Sequence, residues 1–277
     1  MEWGWLQSMV YGLTSGFFEF LPVSADAHRV LFSYLTGSGK EEFVFRLIGH
    51  ASILLALLLS CRPQLDKLRR ERKIASIPVK RRRRQPDVKT VLDIRLLKTA
   101  LLPLLFGFIF YLPAQHLVDD LWLLAMILTI NGIILFVPQL FPSGNKDSRS
   151  ISAVDALLMG LGHALGVIPG ISRIGGALSL GKIRGLDRQY AVDMCLLLSI
   201  PALIALIGFD VYNIVSLGAA ISLSQIVPYI LTGVAAFLGA YLCVILMRFL
   251  AVKIGFSGFS YYCWGTALFV FILYLTI

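Results

Sequence analysis

The sequence predicts an all-α integral membrane protein, with six transmembrane helices plus two re-entrant broken segments in an inverted repeat. Three observations lead there. The 277 residues are 57% hydrophobic, with a mean hydropathy of +0.80, which is more apolar surface than one soluble core of this size can hide. Six runs reach the roughly 20 apolar residues that a spanning helix needs: Phe43 to Cys61, Leu96 to His116, Leu121 to Phe141, Tyr190 to Asn213, Gln225 to Leu250 and Gly258 to Ile277. Two more apolar stretches, Gly4 to Val23 and Ile151 to Ile168, are studded with Gly and Pro.

At the N-terminus no Lys or Arg precedes the apolar stretch and the early charge is Glu2, so a retained rather than cleaved start is expected. Between the first two spans lies a basic loop, residues 62–98. It carries 14 of the 25 basic residues against the acids Asp66, Glu71, Asp87 and Asp93, which leaves the rest of the chain near neutral. Beside apolar helices, a run such as Lys80 to Arg84 reads as a cytoplasmic anchor near anionic lipid. Nucleic acid is not an expected partner, because no aromatic residues interleave the charges. With that loop cytoplasmic, Lys146 and Arg149, then Arg173, Lys182, Arg184 and Arg188, then Arg248 and Lys253 fall on the same side, and the uncharged stretch from Ile214 to Ser224 falls outside. This assignment requires Gly4 to Val23 and Ile151 to Ile168 to enter the membrane and return without crossing. Cys61, Cys195, Cys243 and Cys263 form neither a zinc pattern nor a disulfide framework.

The two interrupted stretches align. Gly12-Leu13 and Ser24 fall 148 residues before Gly160-Leu161 and Ser172, and each is followed by a shorter helix and three spans. The expected organisation is one membrane domain, 1–277, with a first repeat over 4–141 and an inverted second repeat over 151–277. Paired interrupted helices in inverted repeats place a binding site near the midplane, where irregular backbone must be buried in protein or line a wet cavity. Two ordinary kinked helices are the alternative.

Glu19 sits inside Phe17-Phe18-Glu19-Phe20-Leu21, where an ionisable group is expensive and therefore a functional candidate. Asp26 and His28 follow close after Pro22. Two carboxylates and an imidazole suit a divalent cation, magnesium or calcium, held by Glu19 and Asp26, or proton transfer. The plainer reading pairs Glu19 with a basic residue and has Asp26 cap the helix after Ser24. In the second segment Pro169 and Gly170 break the chain so that a helix restarts near Ser172, whose free amides attract anions. Arg173 adds a fork suited to phosphate oxygens, and Gly175 and Gly176 admit a close approach by a ligand or another backbone. Gly170, Ser172, Arg173, Gly175 and Gly176 are thus the candidate phosphate-binding set, with Arg173 as a mere interface anchor the alternative. His50, His116 and His163 read as packing histidines, and Asp193 and Asp210 as paired or interfacial acids.

The segment Gly12-Leu13-Thr14-Ser15-Gly16-Phe17-Phe18-Glu19-Phe20-Leu21-Pro22-Val23-Ser24-Ala25-Asp26-Ala27-His28 resembles the first signature of the bacterial undecaprenyl pyrophosphate phosphatase (bacitracin-resistance) family, and Pro169 to Ala177 resembles the second. Arg188, Ala191 and Pro201 extend the likeness. The resemblance implies a multi-pass enzyme of the bacterial inner membrane that removes the terminal phosphate of undecaprenyl pyrophosphate, regenerating the lipid carrier for peptidoglycan. It implies a cation on glutamate, Ser24 and His28 in nucleophilic or acid-base work, and Arg173 on phosphate. A homodimer is an assembly left open. The chain departs from the family at four polar positions, which are Ser15 for a glutamate, Ala25 for a serine, Ile174 for a serine and Ala177 for a threonine; Asp26 stands where a threonine is common. Losing one transition-state donor costs ~10²-fold or more. The alternative reading is therefore a catalytically impaired homologue that binds or translocates polyprenyl phosphate carriers, with a general lipid-binding protein as the residual.

Overall fold

A computed structural model describes residues 3–37, 43–114, 120–218, 222–253 and 256–276. Among the described residues the chain is helical and forms no strand. In order the helices are α1 (Trp5–Glu19), α2 (Ala25–Thr36), α3 (Phe43–Ser60), α4 (Arg62–Ser76), α5 (Val88–Gly107), α6 (Tyr111–Ala114), α7 (Leu121–Phe136), α8 (Ala153–Ala164), α9 (Arg173–Ile183), α10 (Arg188–Ser216), α11 (Ile226–Lys253) and α12 (Gly258–Thr276).

Five helical segments are long and apolar enough to cross a membrane: Phe43–Ser60, Leu121–Leu140, Arg188–Ser216, Leu223–Ala251 and Gly258–Thr276. Their outer faces show the solvent they meet. On α11, Val227, Ile230, Val234, Leu238, Tyr241, Ile245 and Phe249 are exposed, whereas Ala236, Ala240, Cys243, Val244 and Met247 are buried. An apolar stripe facing outward at helical spacing is a lipid face. The expected span from Leu96 to His116 differs from these five. It lies within α5, which starts at Val88 and carries Lys89, Asp93, Arg95 and Lys98 in its first half before continuing through a 3-10 turn to α6; His116 lies outside the described residues.

Both interrupted stretches break as short helices. Helix α1 ends at Glu19, and Ser24 caps α2 by accepting the Ala27 N–H at 3.3 Å. Helix α8 tightens into a 3-10 turn and runs through Gly170, at φ +101, to Ser172, which caps α9 by accepting the Gly175 N–H at 3.0 Å. Glycines seat both arms. A Cβ at Gly12 would strike the Thr232 carbonyl, and one at Gly16 the Ala236 carbonyl, so α1 lies backbone against backbone on α11. Gly160 meets the Ala100 carbonyl in the same way, pressing α8 onto α5. Lipid offers helices little hydrophobic drive to associate, so small residues that let backbones approach supply van der Waals contact instead.

The basic loop is a packed hairpin of α4 against the start of α5. Glu71 takes two hydrogen bonds from Arg84, at 2.6 and 3.3 Å, and one from the Asp87 N–H at 2.8 Å. Asp87 in turn caps α5, accepting from Thr90 and Lys89, and pairs with Lys67 at 3.1 Å. The Thr90 hydroxyl and the Lys67 ammonium hold the Asp87 carboxyl down to about 2.

Two outcomes are expected. Gly16→Leu will force α1 from α11 and cost about 3 kcal/mol, an overpacking penalty at the upper end of the usual range, read as a lowered melting temperature in detergent. Because the folded pKa of Asp87 is depressed, its contribution is present above the ordinary value of 3.8 and is lost as pH falls toward about 2. A spin-label distance between α4 and α5 should therefore hold at pH 5 and lengthen below 4, and in Asp87→Asn should be lengthened already at neutral pH.

Candidate functional site

The two breaks meet. The Ser24 hydroxyl accepts the Gly170 N–H at 3.0 Å, and the Ser172 hydroxyl donates to the Leu21 carbonyl at 3.1 Å. Each helix-starting serine thus ties its own cap to the other segment's turn. The N-termini of α2 and α9, both electropositive ends, converge at this junction. From α7, Asn131 accepts the Ser172 N–H at 2.9 Å and donates to the Cys263 sulfur at 3.2 Å, locking the second break to α12 as well.

Beside these caps lies the ion pair that joins the segments, with Arg173 Nη2 donating to Glu19 Oε1 at 2.5 Å. The Glu19 side chain is 2% exposed and that of Arg173 12%. The plainer reading of Glu19 as a paired acid and the reading of Arg173 as carried into the protein meet in this one contact. Glu19 Oε2 is buried with no hydrogen-bond partner among the described residues, as is the hydroxyl of Ser15 one turn earlier. Half of the carboxylate is engaged and half is not.

Asp26 is the near neighbour, and it pairs with Arg29 one turn on along α2. Its carboxylate also lies in the fields of Arg173 and His50, and Arg29 lies in that of Glu19. His28 is on another face of α2. It stacks on Phe18 at 3.7 Å, its Nδ1–H donates to the Ser24 carbonyl at 2.6 Å, and its Nε2 accepts from the Tyr262 hydroxyl at 2.7 Å. Gly175 and Gly176 serve backbone packing: a Cβ at Gly176 would strike the Gly162 carbonyl, and one at Gly175 would crowd Ser172, Leu135 and the Pro22 carbonyl. Ala25, Ile174 and Ala177, where polar residues were expected, are buried, and the last two belong to the main hydrophobic core.

The carboxylates do not form a preformed cation cage. Asp26 is held by Arg29, and among the described residues no three His, Cys, Asp or Glu side chains gather as a metal site. Glu19 Oε2 fits a single protein ligand to a hard cation whose other ligands are water and substrate phosphate, the usual arrangement for magnesium.

Of the two readings open for Asp210, pairing is the one found: it is fully buried and accepts from Arg46 Nε at 2.5 Å and His50 Nδ1 at 2.6 Å. Asn131 and Arg29 were overlooked, though each was signalled by a polar side chain in an apolar or membrane-buried stretch. A cavity of about 560 Å³ opens between α7 and α12, lined by Trp122, Met126, Thr129, Trp264 and Phe271. It contains none of the ionisable groups above and is a lipid-facing groove, not the seat of the chemistry.

Apolar helices enclosing a buried guanidinium–carboxylate pair at two converging helix N-termini define a multi-pass membrane protein with an intramembrane anion-compatible centre. Residues 8–269 match the family Bacitracin resistance protein BacA, and the chain belongs to it. It is 30% identical over 258 residues to an undecaprenyl-diphosphatase of Carboxydothermus hydrogenoformans, covering 93% of each chain. To those of a Nocardioides species and Methanobrevibacter smithii it is 32% identical over 213 residues, 76% of this chain and 75% of the relative, and 28% identical over 272 residues, 96% of each. It is a multi-pass protein of the bacterial cell membrane.

Removing one member of the buried pair strands the other. Arg173→Ala and Glu19→Ala should each cost about 3–5 kcal/mol, whereas the double variant carrying both changes should lose less than the two single changes summed. A double-mutant cycle on detergent melts that shows strict additivity would contradict the pairing.

Proposed function

We propose that this chain hydrolyses the terminal phosphate from undecaprenyl pyrophosphate, returning undecaprenyl phosphate for cell-envelope synthesis. The observation that carries this is the Arg173–Glu19 pair at the crossing of the two breaks, taken with family membership and the activity for which the relatives are named. The pair is poised to exchange partners. A phosphate oxygen can replace the Glu19 carboxylate on Arg173 in a charge-assisted contact, while the dipoles of α2 and α9 favour the anion. Glu19 Oε2 would hold a magnesium ion entering with the pyrophosphate, and when bound the ion would neutralise phosphate charge. His28 accepts a hydrogen bond from the half-exposed Tyr262 hydroxyl on α12 and is proposed to orient that hydroxyl beside the leaving lipid phosphate. Ser24 and Ser172 act as caps that fix the breaks, with Gly170 supplying the turn.

The scaffold supports an inverted repeat at the 148-residue offset. Gly12 and Gly160 correspond, and so do Ser24 and Ser172. Packing follows the offset, since each broken arm rests on a helix of the other half, α1 on α11 and α8 on α5. Helix α1 has 15 residues, or about 22 Å at 1.5 Å per residue, short of the ~30 Å hydrocarbon core. Re-entry of both arms, with α5 as a sixth crossing, is part of the proposal.

Purified protein in nanodiscs should release inorganic phosphate from undecaprenyl pyrophosphate, chelation with EDTA should suppress it, and Glu19→Gln should raise the magnesium needed. Asp26→Asn should leave the magnesium requirement unchanged while lowering the melting temperature. No phosphate release by the wild type under conditions where a family relative turns over would refute the reading.

A further inference from the structure

A hydrolytic site needs a nucleophile and a group to take its proton, and the serine hydroxyls that cap the two breaks are committed to backbone groups. Ser24 Oγ accepts two backbone N–H groups, and Ser172 Oγ accepts one and donates to Leu21. The attacking oxygen is then that of water. Of the imidazoles described, His28 has both nitrogens engaged. His163 is bonded through Nε2 to Ser199, a hydroxyl that itself donates to the Cys195 carbonyl; its Nδ1 is buried with no hydrogen-bond partner among the described residues, but the group across its ring is a neutral hydroxyl, which does not hold an imidazolium as a carboxylate does.

His50 is different. On α3 it is 1% exposed, and its Nδ1 lies 2.6 Å from Asp210 Oδ2 on α10. A carboxylate can only accept, so Nδ1 carries the proton and Nε2 presents its lone pair. That nitrogen is buried with no hydrogen-bond partner among the described residues. A folded protein retains an unpaired buried polar atom where a ligand or water completes the bond in function. Asp210 is itself fixed from its other oxygen by Arg46 Nε at 2.5 Å, so the imidazole is oriented, the arrangement by which a buried carboxylate positions a histidine to act as a base.

Asp26, on α2 two residues after the Ser24 cap, lies in the fields of both His50 and Arg173, which links the imidazole to the phosphate centre. The charged and titratable groups around His50 are Asp210 from α10, Arg46 from its own helix, Asp26 and Arg29 from α2, and Tyr111, which lies in the fields of Arg46, Asp26, Asp210 and Arg29. From α11 the neighbouring ring is Tyr229, packed on Phe45 at 4.7 Å.

We infer that His50, oriented by Asp210, is the general base that activates the attacking water at this site, an inference that rests on the hydrolytic reading above. Water gives a proton to His50 Nε2 as its oxygen bonds to the terminal phosphorus. The bridging P–O bond breaks with its electron pair leaving on the lipid phosphate. The imidazolium, held by Asp210, then returns its proton to the released phosphate or to bulk water.

The test is phosphate release from undecaprenyl pyrophosphate by full-length protein in nanodiscs, from about pH 5 to about pH 9. Wild type, His50→Gln, His50→Ala with and without added imidazole, Asp210→Asn and Arg173→Ala would be compared. His50→Gln should lower kcat by ~10²-fold or more, keep KM within about threefold, and abolish the acid limb of the kcat profile. Added imidazole should restore part of the His50→Ala rate, and Asp210→Asn should lower kcat less while displacing the same limb. A wild-type kcat and an intact acid limb in His50→Gln overturn the inference; if that variant does not fold, the same result in Asp210→Asn does so. Wild type that releases no phosphate instead refutes the hydrolytic reading, and an active wild type silenced by Arg173→Ala but indifferent to His50 refutes only the role of His50.

Discussion

A guanidinium and a carboxylate brought together inside a membrane domain set the terms for everything around them. Arg173 and Glu19 come from segments 154 residues apart, and neither could be buried alone, because stranding one charge in a low-dielectric interior costs several kcal/mol. Their contact requires both helices to stop at the same depth and face each other. The breaks at Pro22 and Gly170 are the means, and the reciprocal serine caps are what makes the broken backbone tolerable, since no water or lipid at that depth can satisfy freed amides. Asn131 satisfies another, the N–H of Ser172.

The same demand explains where the glycines lie. To hold two short helices deep in the domain, each must be clamped over its length, and α1 and α8 lie against helices of the other half at backbone distance. Gly16 faces the Ala236 carbonyl and Gly176 the Gly162 carbonyl. A rigid clamp fixes the tips to within the tolerance that an ion pair and two caps demand. The glycines after Arg173 thus position its helix by packing closely against the neighbouring backbone.

The membrane class, five spans and both breaks were legible in the sequence because hydropathy and Gly/Pro placement are local signals. The pairing of Glu19 with Arg173 was legible only as two separate oddities, each an ionisable residue in an unfavourable setting. What joins them is tertiary, and so is the His50–Asp210 contact, whose members lie 160 residues apart. Asp210 was expected as a paired or an interfacial acid; its pairing inside the protein depends on α3 crossing α10 there. For Asp26 the local setting suggested a cap or a metal ligand; the cap is Ser24, two residues earlier, and Arg29, three residues on along the same helix face, pairs with the carboxylate.

Among the described residues each acid of the centre faces an arginine: Glu19 faces Arg173, Asp26 faces Arg29, and Asp210 faces Arg46 with His50 beside it. This pairing lets the three acids be buried at all, and it governs how the site responds to an incoming anion. A phosphate oxygen that captures Arg173 releases Glu19, and a released carboxylate in a low-dielectric site must take up a cation or a proton. On the hydrolytic reading, therefore, substrate and divalent cation are coupled because the anion displaces the very carboxylate that can then hold the metal.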